Sequence, residues 1–295
     1  MSKRWNKATI VGCGLIGASF ALALRRSGSC RRIAGWDSSQ SVLREALTQG
    51  IIDDVDQAFA KDDTSASDLI YLAMPVMEIV SFLQRCGPQI RQGAVITDAG
   101  STKVQVCRAA REHLRSGQRF IGGHPVAGGH QAGLAHARAG LFENMPYVLI
   151  VEDGEGENRA LLAVKAALEG IGAKVKLMTA IEHDRAMALV SHLPQLLSSA
   201  LEATVRAQSD ANRLRETAGT GYRDMTRLAA SSWTIWREIF ATNAAPLADA
   251  LDALIMKLTD VRDELRLSAA GNEAVLAKTG ALFENPPVNP IKKTL

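Results

Sequence analysis

Between residues 8 and 178, short apolar runs alternate with stretches whose apolar positions recur at helical spacing. The runs at 8–11, 32–36, 68–73, 94–97, 120–122, 147–151 and 174–177 read as strands. The stretches at 15–26, 41–49, 76–86, 103–115 and 158–169 read as helices, the second stopped by Gly50. The unbroken apolar character of 68–73 suits a strand buried on both faces. This alternation predicts an α/β fold with a doubly wound parallel sheet, which the strands at 147–151 and 174–177 extend.

From residue 179 the pattern changes. No further strand is predicted, only amphipathic stretches at 186–205, 225–229, 234–242 and 246–267. The last of these gathers Leu247, Leu251, Leu254, Ile255, Leu258, Val261 and Leu265 on one broad face, fit to pack internally or against a second copy. Pro194 falls inside a helical run and predicts a kink, with a carbonyl left unpaired one turn back. The proline-bearing tail from Asn272 is expected to be irregular. The predicted organisation is an α/β domain over residues 1–178 and an all-helical domain over residues 179–295.

Composition narrows the function classes. The chain has 295 residues, 47% hydrophobic and 22% charged, as an ordinary soluble globular protein does. With 34 basic and 31 acidic side chains the formal charge is +3, too small to imply nucleic acid or an anionic membrane as partner. No apolar run reaches the length of a membrane span, and the start leads straight into a strand instead of a signal-peptide apolar region. Cys13, Cys30, Cys86 and Cys107 are scattered without a Cys-x-x-Cys pair, so neither a metal knot nor a disulfide framework is indicated. A reduced, cytoplasmic protein is expected.

The candidate chemistry lies at strand ends. Gly12-Cys13-Gly14-Leu15-Ile16-Gly17 follows a strand and opens a helix, and Asp37 ends the next strand. In that context Gly-x-Gly-x-x-Gly is the Rossmann dinucleotide fingerprint. Gly12 permits the turn, Gly14 admits a pyrophosphate, Gly17 allows helix–strand packing, and the helix N-terminus at Leu15 and Ile16 offers free N–H groups. Asp37 can bond both ribose hydroxyls and repel a 2′-phosphate. NAD is therefore favoured over NADP, although the Ser38 hydroxyl softens the choice. Met74-Pro75 follows the third strand, where Pro75 is suited to begin a helix whatever its function. Ser101 follows another strand and is a candidate N-cap as well as a candidate catalytic group. His124 stands between two glycines and Pro125 at the end of the strand at 120–122; on these residues alone it is either a general base or a satisfied turn histidine.

In combination the segments are more specific. The fingerprint, Asp98-Ala99-Gly100-Ser101-Thr102-Lys103 and Gly122-Gly123-His124-Pro125-Val126-Ala127-Gly128 resemble the prephenate/arogenate dehydrogenase family of tyrosine biosynthesis. Ser191-His192-Leu193-Pro194-Gln195, Gly221-Tyr222-Arg223-Asp224-Met225-Thr226-Arg227 and Trp236-Arg237-Glu238-Ile239-Phe240 match its substrate-side segments. The resemblance implies oxidative decarboxylation of prephenate or arogenate with hydride passed to NAD, His124 as general base and Ser101 bonding it. It further implies Arg227 clamping the ring carboxylate, with His192, Asp224 and Trp236 beside it, and a homodimer formed through the helical half. An imidazole suits the base role, being largely neutral at physiological pH.

The chain departs from the family where many members carry Gly-Ser-Glu and this one has Gly128-Gly129-His130. Substrate preference is therefore open, and His130 is expected to contribute to it. No appended amino-acid-binding regulatory domain is expected after the helical stretch. Two other readings stand beside the main one. One is a related dehydrogenase acting on a β-hydroxyacid, an imine or 4-amino-4-deoxyprephenate. The other is a non-catalytic NAD-binding sensor, against which the joint presence of His124, Ser101 and Arg227 argues.

Overall fold

The computed structural model describes residues 5–60, 65–127, 133–152, 158–269 and 276–284. By compactness the chain forms two units, Met1–Ala244 and Ala245–Leu295. The first contains the predicted doubly wound sheet. Its elements run β1 (Trp5–Val11), α1 (Leu15–Ser27), β2 (Cys30–Trp36), α2 (Gln40–Thr48), β3 (Asp54–Val55), β4 (Leu69–Leu72), α3 (Val76–Cys86), β5 (Val95–Asp98), α4 (Val104–His113) and β6 (Arg119–Ile121). The six strands are parallel in the order β3-β2-β1-β4-β5-β6, the Rossmann order.

Strand β4 shows why this region reads as continuous apolar sequence. Leu69 and Tyr71 face a core with Phe20, Leu24 and Tyr147, while Ile70 and Leu72 face another with Ile79, Phe82 and Ile96. Successive side chains alternate between faces, and both faces are covered. Each such side chain contributes roughly 1.5–3 kcal/mol through burial. Gly12, at φ +90°, turns the chain out of β1; a Cβ there would meet the Ala73 carbonyl oxygen at 2.6 Å. At Gly17 a Cβ would stand 1.9 Å from the Gly12 carbonyl oxygen, so α1 packs on the turn only with glycine in that position.

The expected extension of the parallel sheet is corrected by the structure. Strands β7 (Gly123–Pro125), β8 (Pro146–Ile150) and β9 (Lys174–Met178) form a separate three-stranded sheet. In it β7 runs antiparallel to β8, and β9 parallel to β8 across α5 (Arg159–Gly170). The chain leaves the short β6 at Gly122, whose carbonyl accepts from the Ile150 N–H, and finds a new partner strand at once. His124 accordingly lies in the middle of β7, opposite Val148, and not at a strand end.

The helical part of the first unit begins with α6 (Ala180–Met187), started by a capping box between Thr179 and Glu182. A π-helical turn, Ala188–His192, joins it to α7 (Leu193–Arg206). Here the predicted kink takes a specific form. Pro194 has no N–H to give, and the ladder opens one residue wider, with Leu193 N bonding Ala188 O. Then follow α8 (Ala211–Glu216), α9 (Thr220–Thr226), a 3-10 turn Arg227–Ala230 and α10 (Trp233–Thr242). The second unit holds α11 (Ala244–Ala269) and α12 (Ala277–Ala281), where Glu264 accepts from the backbone N–H groups of Lys278 and Thr279. Along α11 only Leu247 of the predicted apolar face is buried, whereas Ile255, Leu258 and Leu265 are exposed. Among the described residues no single helix is long and apolar enough to cross a membrane.

The glycine turn yields a paired prediction. Gly17→Ala is expected to destabilise the protein by about 1–3 kcal/mol through overpacking, read as a lowered urea midpoint. Gly14→Ala, whose Cβ meets nothing within 4 Å, is expected to leave that midpoint in place. Equal midpoints for the two variants would contradict the packing role given to Gly17.

Candidate active site

The glycine turn, the ends of β2 and β4 and the start of α3 enclose a cavity of about 430 Å³. It is lined by Gly12, Gly14, Asp37, Ser38, Met74 and Pro75, all named from the sequence, together with Trp36, Glu78 and Arg85, which were not. Gly14 is the N-cap of α1 and offers no side-chain cap, so the first N–H groups of the helix are left for a ligand. The open space over Gly14 and the positive end of α1 fit a pyrophosphate. Asp37 is held rigidly beneath them, one carboxylate oxygen accepting from Cys13 N–H (2.9 Å) and the other from Ser39 N–H (2.9 Å). Leu15 and Ile16 are half-buried in the first turn of α1, while Gly17 is a packing residue. These features fit a dinucleotide. A larger opening of about 850 Å³, lined by Arg111, Arg115, Arg119 and Glu152 among others, shares no residue with this cradle.

A second constellation surrounds His124. At the end of β5, Asp98 accepts from the N–H groups of Gly100 (2.8 Å) and Gly123 (2.9 Å) and pairs with the ammonium of Lys103, both partners being fully buried. Lys103 Nζ also donates to the Gly123 carbonyl (2.7 Å). A Cβ on Gly123 would lie 2.6 Å from the Asp98 carbonyl oxygen, so glycine is what lets β7 cross so near β5. Half-buried above this anchor, His124 places Nδ1 2.8 Å from Nε2 of His183, and His183 Nδ1 is 2.8 Å from Asp184 Oδ1. Asp184 in turn accepts from Lys103 N–H (2.7 Å) and Val104 N–H (2.9 Å), capping α4 from α6. Asn243 Nδ2 donates to the Asp184 carbonyl (2.7 Å) and lies 3.0 Å from His192 Nδ1.

Burial dominates the electrostatics. It holds His124 well below the ordinary imidazole pKa, with further lowering by His183, Lys103 and His192. Burial also lowers His183, against the opposing pull of Asp184, and brings His192 down to about 4. All three rings are neutral at neutral pH.

One expectation for Ser101 is corrected. It does not cap α4, which starts later at Val104 and takes its cap from Asp184. His124 Nδ1 is engaged by His183. His192 is buried at the end of the π-helical turn, its ring 6.0 Å from that of half-buried Trp236. Asp224 lies exposed on α9, and Arg227 lies exposed at the start of the 3-10 turn. That turn is tied to α7 by Gln195, which donates to the Leu228 carbonyl (2.8 Å). His130 lies outside the described residues. Sequence reasoning missed His183, Asp184 and Asn243, and it gave Asp98 and Lys103 no role. The adjacent His-Asp pair just before the amphipathic stretch at 186–205 was the available signal.

A family model of the prephenate dehydrogenase nucleotide-binding domain matches residues 20–177, and one of the prephenate dehydrogenase dimerization domain matches residues 179–278. The chain belongs to the prephenate dehydrogenase family. The prephenate dehydrogenase of Bacillus subtilis is 33% identical over 92% of this chain and 73% of its own length. The cyclohexadienyl dehydrogenase of Zymomonas mobilis is 31% identical over 86% of each chain. Among solved structures, prephenate dehydrogenase from A. aeolicus in complex with hydroxyphenyl propionate and NAD+ superposes with a TM-score of 0.85 at 30% identity. That superposition covers 96% of this chain and 98% of the other.

The neutral histidines make the stability of this prephenate dehydrogenase family member depend on pH. In the unfolded chain they bind protons below about pH 6.5, whereas the folded protein resists protonation. The unfolded state then binds more protons, so stability falls as pH drops through the window from about 6.5 to about 4, by up to about 3 kcal/mol for His192. Urea midpoints are expected to decline between pH 7.5 and pH 5, and less steeply in His192→Gln. An unchanged slope in that variant would refute the assignment.

Proposed function

We propose that the chain catalyses oxidative decarboxylation of prephenate, arogenate or both, with NAD as hydride acceptor. The observation that carries this is a neutral, half-buried imidazole, His124, anchored beside the Asp98–Lys103 pair in a chain of this family whose fingerprint turn fits a dinucleotide. NAD, when bound against Gly12, Gly14, Leu15, Ile16, Asp37, Ser38, Met74 and Pro75, supplies the acceptor for the hydride. His124 takes the hydroxyl proton of the cyclohexadienol as the hydroxyl-bearing carbon is oxidised. The ring carboxylate leaves as carbon dioxide, its bonding electrons complete the aromatic ring, and His124 returns the proton to the phenolic oxygen.

The remaining assignments follow the same reading. Ser101, in the loop between β5 and α4, holds the hydroxyl under attack. Arg227 clamps the ring carboxylate through the planar, two-pronged geometry of guanidinium. Asp224 positions Arg227, His192 donates to substrate, and Trp236 walls the pocket. The charge of Asp37, fixed by two backbone N–H groups, opposes a 2′-phosphate and favours NAD over NADP. Functionally we divide the chain into a cofactor domain, residues 1–178, and a substrate and dimerisation domain, residues 179–295. The exposed apolar residues Ile255, Leu258 and Leu265 of α11 support a homodimer.

Nicotinamide reduction, followed by absorbance with prephenate or arogenate and NAD or NADP, tests the reading. Turnover is expected with at least one substrate and better with NAD; no reduction in any of the four combinations would sink the proposal. His124→Asn is expected to lower kcat by about 10²–10⁴-fold. Substrate choice is assigned in part to His130, and His130→Glu is expected to change the ratio of prephenate to arogenate turnover. An unaltered ratio would remove His130 from the specificity set.

A further inference from the structure

The hydrogen-bond inventory around His124 fixes which of its nitrogens is bare. Asp184 receives backbone N–H groups at both carboxylate oxygens, from Lys103 at Oδ1 and from Val104 at Oδ2. A carboxylate engaged in this way is an acceptor with no proton to give. His183 Nδ1, 2.8 Å from Asp184 Oδ1, therefore carries a proton. Neutral His183 then has a bare Nε2, and that atom lies 2.8 Å from His124 Nδ1. Two bare nitrogens at hydrogen-bond distance would repel, so the proton between them belongs to His124 Nδ1. His124 Nε2 is left with its lone pair.

We propose that Asp184, acting through His183, locks His124 in the Nδ1–H tautomer, making Nε2 the atom that accepts the substrate proton and dispersing the charge that follows. The inference rests on the reading of His124 as general base. His183 and Asp184 are positioning residues. In the step itself the substrate O–H bond breaks and an Nε2–H bond forms. The His124 Nδ1 proton is then drawn toward His183 Nε2, whose own Nδ1 proton is drawn toward Asp184. No proton leaves the chain, and the same proton goes back to the phenolic oxygen. Burial keeps His124 and His183 neutral beforehand, as their lowered pKa values require. The charged and titratable groups around this path are Lys103 and Asp98 beside β7, His183 and Asp184 on α6, and His192 on the π-helical turn.

The protein labelled with ¹⁵N at its histidine rings tests this, because NMR distinguishes a protonated from a bare ring nitrogen and His124→Gln identifies the His124 signals. Wild type at pH 7.5 is expected to show His124 protonated at Nδ1 and bare at Nε2; the opposite pattern overturns the proposal without need of any variant. Asp184→Ala removes the acceptor at His183 Nδ1, so nothing holds that proton and the tautomers of His183 and His124 are no longer fixed. In that variant kcat is expected to fall about 10²–10⁴-fold with KM nearly unchanged. His183→Gln keeps an acceptor for His124 Nδ1–H but severs the link to Asp184. Its tautomer should survive and its kcat should drop less. An Asp184→Ala protein that keeps both the wild-type tautomer and kcat overturns the proposal. A wild type that shows the Nδ1–H tautomer yet turns over neither substrate defeats the functional reading while leaving the lock standing.

Discussion

The buried pair of Asp98 and Lys103 is the constraint on which the site depends. Neither side chain reaches solvent, so each charge is tolerated only through the other and through the backbone groups around them. Losing either partner would leave a buried charge uncompensated, at a cost of about 3–5 kcal/mol. The pair does more than close its own charges. Asp98 and Lys103 grip the N–H and the carbonyl of Gly123 respectively, and the residue so gripped is the one before His124. The position of His124 is thus set by an ion pair at the end of one sheet and by a strand of another.

From this anchor a single polar network runs into the helical part of the first unit. Lys103 and Val104 present their N–H groups to Asp184, Asp184 meets His183, and His183 meets His124. Asn243 adds a second tie, bridging the Asp184 carbonyl and His192. The Thr102 and Thr242 hydroxyls, 2.8 Å apart and buried, join the same two regions. Nearly every polar atom in this layer has a partner, which is what allows it to be buried without unravelling. The apolar surroundings that would penalise an unpaired group are also what keep the histidines uncharged.

Legibility in the sequence followed the range of the interaction. The glycine turn and Asp37 could be read because their roles depend on neighbours within a strand–turn–helix unit. His124 could be singled out because its glycines and proline are adjacent to it. His183 and Asp184 could not, since their partners lie 59 residues away in one case and 80 or 81 in the other. In the sequence they stand just before the amphipathic stretch at 186–205, in residues assigned to no element. The second sheet was hidden for a similar reason. Apolar periodicity marks a strand as buried but does not say which strand it pairs with, and β7 is too short to carry a pattern at all. Ser101 shows the reverse error. A serine at a helix start invites an N-cap reading, yet the cap came from a carboxylate far along the chain.

The π-helical turn at Ala188–His192 means that the run from α6 into α7 carries one residue more than an unbroken α-helix would need. Each residue advances a helix by about 100°, so this surplus sets the angular phase between everything before it and everything after. His183 and Asp184 are on one side of the surplus, Gln195 and the turn it holds on the other. The two halves of the site therefore face each other by virtue of an irregular count. A chain one residue shorter here could keep every named side chain and still aim half of them elsewhere.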